Sequence, residues 1–424
     1  MTTKITEKNI SSLANIGVNW QAVVVADGST GLTAVAGRGY FIDTTSGTIT
    51  VTLPTSANVG DVIVLKDYAR KWATNNVTIA SNLFDGGTLS TTFSTNGQTI
   101  TLVRMDNTRG WSLINDDTTS NLGPAYLTAT GGTVVTSGDF KIHTFTGDGC
   151  FVVATLGNPG GSDSVDYLVV AGGGGGGTNG GGGAAGGFRY SNSTFSVPGA
   201  PGAPLASSTA VPVTATGYPI TVGSGGAGAP WSGAPGITSG NPSTFSTITS
   251  TAGGFGGMGT PTRTAGGNPG GSGGGSNYNN APGIGSGNTP PVSPSQGNNG
   301  GGASASDSGG GGGGAMAAGS GLGPTQQRQP GGIGAGIPTA FGSNGVLCGS
   351  YRYYAGGGGG ATQSTSPTLT GNGGTGGGGA SGIQEGTAVS GTANTGGGGG
   401  GAAGGSGVSG AGGKGIVIIR YKFQ

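Results

Sequence analysis

The chain is poor in the residues that carry most protein chemistry. Of 424 residues, 7% are charged and 6% aromatic, with one histidine and two cysteines. A single histidine leaves neither a histidine-based triad nor a zinc site with its parts. Two cysteines, Cys150 and Cys348, make no disulfide framework, and both are expected free and buried. No stretch approaches the roughly 20 apolar residues of a membrane span. The opening MTTKITEKNISS lacks the apolar core of a secretory signal, so synthesis in a cytoplasm is expected. Residues 1–166 carry 9 Lys/Arg against 13 Asp/Glu, and residues 167–424 carry 7 against 2. Charges that sparse form no clustered nucleic-acid footprint, so neither nucleic acid nor membrane is an expected partner.

What the chain has instead is glycine. Residues 167–424 hold 85 of its 105 glycines. The strand-like YLVVA (Tyr167–Ala171) runs straight into six of them, and GGKGIVIIRY closes the chain at Gly412–Tyr421. Two apolar strands, 167–171 and 415–421, bracketing such a segment predict a folded unit closed at its base by strand pairing. Residues 22–122 read as all-β. TITVTLP (Thr48–Pro54) and QTITLVR (Gln98–Arg104) alternate with period two, and DVIVLKD, NNVTIA and GWSLI add short strands. A helical period is absent there, save for a short turn expected near Ile5–Leu13. A small β-sandwich or β-prism module over residues 1–122 is predicted, with a glycine-rich domain over 123–424. Lys141–Leu156 reads as a hairpin turning at Gly147–Gly149. GGFRY (Gly186–Tyr190) and YPITVG (Tyr218–Gly223) are expected to add strands to the same base.

From about Ser224 to Gly413, glycine runs alternate with loops of Ser, Thr, Asn and Pro. Collagen is excluded, because Ala361–Thr370 lacks glycine altogether. Helix is excluded, since each glycine costs about 1 kcal/mol there. Two readings remain. One is a flexible Gly/Ser linker. The other is a β base carrying a bundle of polyglycine II helices, bonded backbone to backbone, with loops at both ends.

The strand-plus-glycines at Leu168–Gly177 satisfies G-x-G-x-x-G. The following TNGGGG is hostile to the helix a dinucleotide site needs, and Asn192 stands near the place of its acid. GGKG (Gly412–Gly415) lacks the Ser/Thr of a phosphate loop. The glycine-rich segment carries only Asp307 and Glu385 as acids, and Asp106, Asp116 and Asp117 sit beside turns, so no paired carboxylates for glycoside hydrolysis emerge. His143 reads as structural. No enzyme activity, cofactor or metal is expected. Exposed loop aromatics suit recognition, which makes Tyr351, Arg352, Tyr353 and Tyr354 in SYRYY, Tyr278 in SNYNN and Trp231 in APWSGAP the binding candidates. Phe245, Phe255 and Phe341 read as packing between layers.

VDYLVVAGGGGGG, GGFRY, GTANTGGGGGG (Gly391–Gly401) and GGKGIVIIRY together resemble a glycine-rich domain of phage tail fibres, over roughly Tyr126–Tyr421. GRGYFIDTTSGTITVTLP and the strands up to GWSLI (Gly37–Ile114) resemble a β-module of such fibres. The resemblance implies a virion fibre or fibre-tip protein, assembled in a host cytoplasm, binding a surface polysaccharide or outer-membrane protein through loops between glycine helices. Other tail proteins as partners and a homotrimer are further implications. A head fibre or decoration protein shares the same fold. A polysaccharide-degrading spike or a surface-binding glycine-helix protein are the remaining alternatives.

Overall fold

The computed structural model describes residues 18–84, 87–115, 126–157, 162–193, 200–230, 236–260, 263–278, 283–303, 308–321, 329–363, 370–404 and 406–424. The chain is mainly β, with no α-helix among the described residues, and divides into two compact units, Met1–Pro124 and Ala125–Gln424. The turn expected near Ile5–Leu13 lies outside the described residues.

In the first unit, alternation decides which side chains go inside. Ile49, Val51 and Leu53 of TITVTLP are buried while Thr50 and Thr52 face out, and Ile100 and Leu102 repeat the pattern. Ten strands join in one mixed sheet. The chain alternates between its two halves: Leu32–Thr33, Ile49–Thr52 and Val77–Phe84 pair parallel in one, Arg38–Asp43 and Val62–Asp67 in the other. Strands Thr99–Asp106 and Gly110–Asn115 join the halves, so the small sandwich or prism is realised as one sheet. Both halves feed a single core that includes Trp72 and Trp111. The Trp111 indole N–H donates to the Pro54 carbonyl at 3.0 Å.

The second unit has a three-layered base. Ser164–Val170 and Ile416–Lys422 pair antiparallel, with Val169 opposite Val417, at the centre of a seven-stranded sheet. Both of its faces are covered, which is why these strands read as continuous apolar runs. Tyr167, Val169, Val417 and Ile419 meet Phe151, Val153, Ile220 and Phe245 of a five-stranded sheet. Leu168, Val170, Ile416 and Ile418 meet Ile337, Phe341 and Tyr354 on the other side.

This layering corrects the predicted Lys141–Leu156 hairpin. Phe140–Phe145 lies in the seven-stranded sheet and Gly149–Thr155 in the five-stranded one. The Gly147–Gly149 segment crosses between layers, because Phe145 and Phe151 both enter the core they share. GGFRY does pair with Ser164–Val170, whereas YPITVG pairs with Gly149–Thr155 in the other layer. The cysteines are free, but both are exposed rather than buried. Cys150 points away from the core that Phe151 and Val153 enter, and Cys348 ends the outer strand Val346–Cys348 of a three-stranded sheet.

One buried charge pair links the two central base strands. Asp166 and Arg420 are cross-strand partners with side chains 3.9 Å apart. Asp166 also accepts from the Ser191 and Ser193 hydroxyls, and Arg420 lies over the Phe140 ring at 3.5 Å.

From the base rises the glycine bundle. In the run 172–177, successive N–H groups donate in rotation to three neighbours. Gly172 and Gly175 reach Asn241 and Thr238; Gly173 and Gly176 reach Gly413 and Gly410; Gly174 and Gly177 reach Ala184 and Gly181, all at 2.9–3.1 Å. The carbonyls rotate among three further segments: Gly253 and Gly256, Gly226 and Ala229, then Gly399 and Ala402 donate to them. A period of three with six bonded neighbours is a polyglycine II rod in a hexagonal setting. The runs 309–314 and 356–361 repeat the three-way rotation of N–H donors. The flexible-linker reading therefore gives way to an ordered lattice that satisfies its amides internally. Glycine is required by proximity: a Cβ on Gly176 would stand 2.0 Å from the Gly400 carbonyl oxygen.

Candidate binding surfaces

The rods run between the base and a far end, and side chains finish them differently at each. At the far end the run 172–177 turns through Thr178–Gly180 into 181–187 and returns. Asn179, in the left-handed region with φ 45°, caps this turn. Its amide donates to the Gly259 carbonyl at 3.0 Å, and its carbonyl oxygen accepts from the Gly404 N–H at 2.9 Å. The Asn277 amide donates to the Met258 carbonyl at 2.9 Å, fixing the hairpin of Met258–Thr260 and Arg263–Ala265. Tyr278 sits half-buried beside these residues, next to Gly259, with its N–H pointing to the Asn179 carbonyl at 3.4 Å. Gln384 and Glu385 form another exposed far-end turn.

The SYRYY candidates lie at the opposite end. Tyr351–Tyr354 is the central strand of a three-stranded sheet, between Ala335–Pro338 and Val346–Cys348, and not a loop. From Ala355 the chain enters the rod 356–361, whose last N–H reaches Gly180 at the far end. A six-residue rod of about 19 Å thus separates this group from Tyr278. The structure does not bring the predicted residues together.

Strand alternation also splits the group. Tyr351 and Tyr353 share the outer face, where the Tyr353 ring covers Gly336. Arg352 and Tyr354 point toward the base. Tyr354 is fully buried against Ile142, Phe341 and Ile418, which overturns its assignment as a receptor-facing residue. Burial pushes its phenol well above the ordinary tyrosine value, and its hydroxyl has no hydrogen-bond partner among the described residues. Trp231 lies outside the described residues, as do Asp116, Asp117 and Asp307. Phe245 and Phe341 are fully buried, and Phe255 packs on a small cluster with Met258.

Arg352 opens onto a feature that sequence reasoning missed. A cleft of about 520 Å³ lies between Thr133–Thr146 of the base and the Thr339–Asn344 turn. Ile142 and Val135 supply apolar surface, while Thr133, Thr144, Thr339 and Ser343 supply hydroxyls. Its lining residues come from three separated segments without a shared motif. No local signal in the sequence joins them. A second concavity, about 420 Å³, lies where Asp148 and Thr221–Ser224 meet Asn241 and Pro242. Asp148 is engaged there, accepting from the Val222 N–H at 2.9 Å.

His143 is structural in its contacts. Its Nδ1 lies 2.7 Å from the Gly131 carbonyl and must therefore donate to it. Neutral, the ring then accepts at Nε2 from the Tyr421 hydroxyl, 3.3 Å away. Burial is the main influence holding this imidazole below the ordinary histidine value. Asp106 accepts from the backbone of Thr108 at 2.8 Å, closing a surface turn in the other unit. These carboxylate and imidazole contacts are those of turns and core, each group bonded to its own local backbone or neighbours.

A β base closed by its terminal strands and carrying an ordered glycine lattice defines a glycine-rich structural domain. The sequence agrees: residues 145–422 match the glycine-rich domain family, and the chain belongs to it. Comparison with curated proteins returns no match.

Proposed function

We propose that this protein is a fibre or fibre-tip component of a virion and attaches the particle to a host cell surface. The resemblance of its bracketing strands and glycine runs to phage fibre domains motivates the reading. The observation that carries it is the far end of the bundle. There the rods are joined by polar turns, Thr178–Gly180, the Met258–Ala265 hairpin and Gln384–Gly386 among them. Short turns on a rigid scaffold are how proteins hold recognition groups in fixed positions. The rods contribute no side chains to recognition, so contact specificity resides in these turns and in Tyr278.

The test is competition for adsorption. Purified full-length chain, added to host cells, should block adsorption of particles that carry it. Tyr278→Ala should weaken the block, and Tyr351→Ala at the base end should leave it intact. Undiminished blocking by Tyr278→Ala, or no blocking by the wild-type chain, would refute far-end attachment.

A further inference from the structure

We propose that the cleft beside Arg352 binds a hydroxyl-rich ligand carrying an oxyanion, the chemistry of a uronic-acid sugar residue. Three observations converge on it. The first is size: about 520 Å³ falls within the range of small-ligand sites. The second is the lining. Hydroxyls such as those of Thr144, Thr339 and Ser343 both donate and accept, as a sugar's own hydroxyls do. Val135 and Ile142, cross-strand partners, offer an apolar strip to ring C–H groups.

The third is a guanidinium with donors to spare. Arg352 carries five N–H donors, and its one hydrogen bond among the described residues is from Nη1 to the Gly345 carbonyl at 3.3 Å. Among the described residues its Nε is buried without a partner and no acid lines the cleft. Arg420, which is fully buried, pairs with Asp166 and lies over Phe140, whereas Arg352 is half-buried at the cleft. Arg352 has no such carboxylate among the described residues. A ligand carboxylate, which the planar guanidinium can hold with two parallel hydrogen bonds, completes the site. The inference concerns the base end and stands apart from far-end attachment.

The experiment is calorimetric titration of the full chain with glucuronate, glucose, inorganic phosphate and a glucuronate-containing tetrasaccharide. Saturable glucuronate binding, at least tenfold tighter than glucose, is expected. Arg352→Gln should weaken glucuronate binding at least tenfold while leaving glucose unchanged. Val135→Trp places an indole in the cleft from an exposed edge-strand position and should abolish both. It serves as the second variant should Arg352→Gln melt early. Tighter binding of the tetrasaccharide identifies a polymer as the ligand's source; equal binding identifies a free monosaccharide. Absence of saturable binding by either uronate, or undiminished binding by both variants, overturns the proposal. Phosphate binding as tight as glucuronate overturns its sugar component.

Discussion

A single methyl group placed inside the lattice should be among the most damaging changes this protein can receive. Gly183 lies in the second rod of the bundle, its N–H donating to Gly399 at 2.8 Å and its carbonyl accepting from Gly358 at 2.9 Å. A Cβ there would stand 2.1 Å from the Gly174 carbonyl oxygen. Reaching an ordinary contact distance requires the two rods to part by roughly 1.3 Å. The bonds joining those rods, Gly174 to Ala184 and Gly177 to Gly181, are then stretched out of range. Two buried peptide pairs without partners cost about 1–3 kcal/mol each. Alanine's smaller loss of chain entropy on folding offsets about 0.5–1 kcal/mol. The net is about 1–5 kcal/mol, a Tm lowered by about 2–8 °C for a unit of this size. Gly147→Ala is the control: its Cβ meets only Lys414 Nζ, at 3.7 Å, and should leave Tm unchanged within a degree or two. Scanning calorimetry of both variants checks the argument. An unchanged Tm for Gly183→Ala would show that the rods accommodate side chains and that close backbone approach is not what selects glycine.

Two further outcomes follow from buried groups of the base. Tyr354→Phe removes a hydroxyl that has no partner among the described residues, so thermal unfolding should show it neutral or stabilised by up to about 1 kcal/mol, whereas Tyr354→Ala should cost about 3–5 kcal/mol; a severe loss in Tyr354→Phe would contradict the contacts described. His143 is held below its ordinary value by burial, with Lys141 adding to the effect, so the unfolded chain takes up the proton first. Its contribution is complete above about pH 6.5 and is lost as pH falls through the lower folded value. The drop in Tm between pH 7.5 and 5.0 should therefore be smaller in His143→Gln than in the wild type, and an equal drop would refute the assignment.

The parts legible in the sequence are those governed by local pattern. Period-two alternation placed Ile49, Val51, Ile100 and Leu102 inside, and two apolar runs announced the paired strands at the heart of the base. Glycine runs with no collagen period pointed to threefold rods. Less legible was anything set by distant partners. Lys141–Leu156 has the local form of a hairpin, yet Phe145 and Phe151 serve two layers and the chain crosses between them. SYRYY has the composition of an exposed aromatic loop. Three residues upstream and downstream say nothing of Ala335–Pro338, which makes it a central strand and sends Tyr354 inward. The cleft was invisible for the same reason, since Thr133, Thr339 and Arg352 meet only in the fold.

The lattice also predicts how the chain tolerates change. Rod positions are fixed by backbone bonds alone, so the ends of a far-end turn are held whatever residues it contains. Gln384 and Glu385 illustrate this: the rods flanking them are bonded through Gly382 to Gly401 and Ala388 to Val408. Doubling the length of such a turn adds only about 0.6 kcal/mol of closure entropy, less than one misplaced methyl in a rod. Inserting four Ser/Gly residues between Gln384 and Glu385 should therefore lower Tm by no more than about 2 °C, while a four-residue insertion within 396–401 should prevent folding of the unit. The contrast follows from register: an insertion in a rod shifts every later N–H to a different neighbour, because four is not a multiple of the threefold period. A three-residue Gly insertion at the same place keeps the rotation and should be the milder of the two rod variants. Equal damage from three and four would remove the threefold lattice as the reason for either.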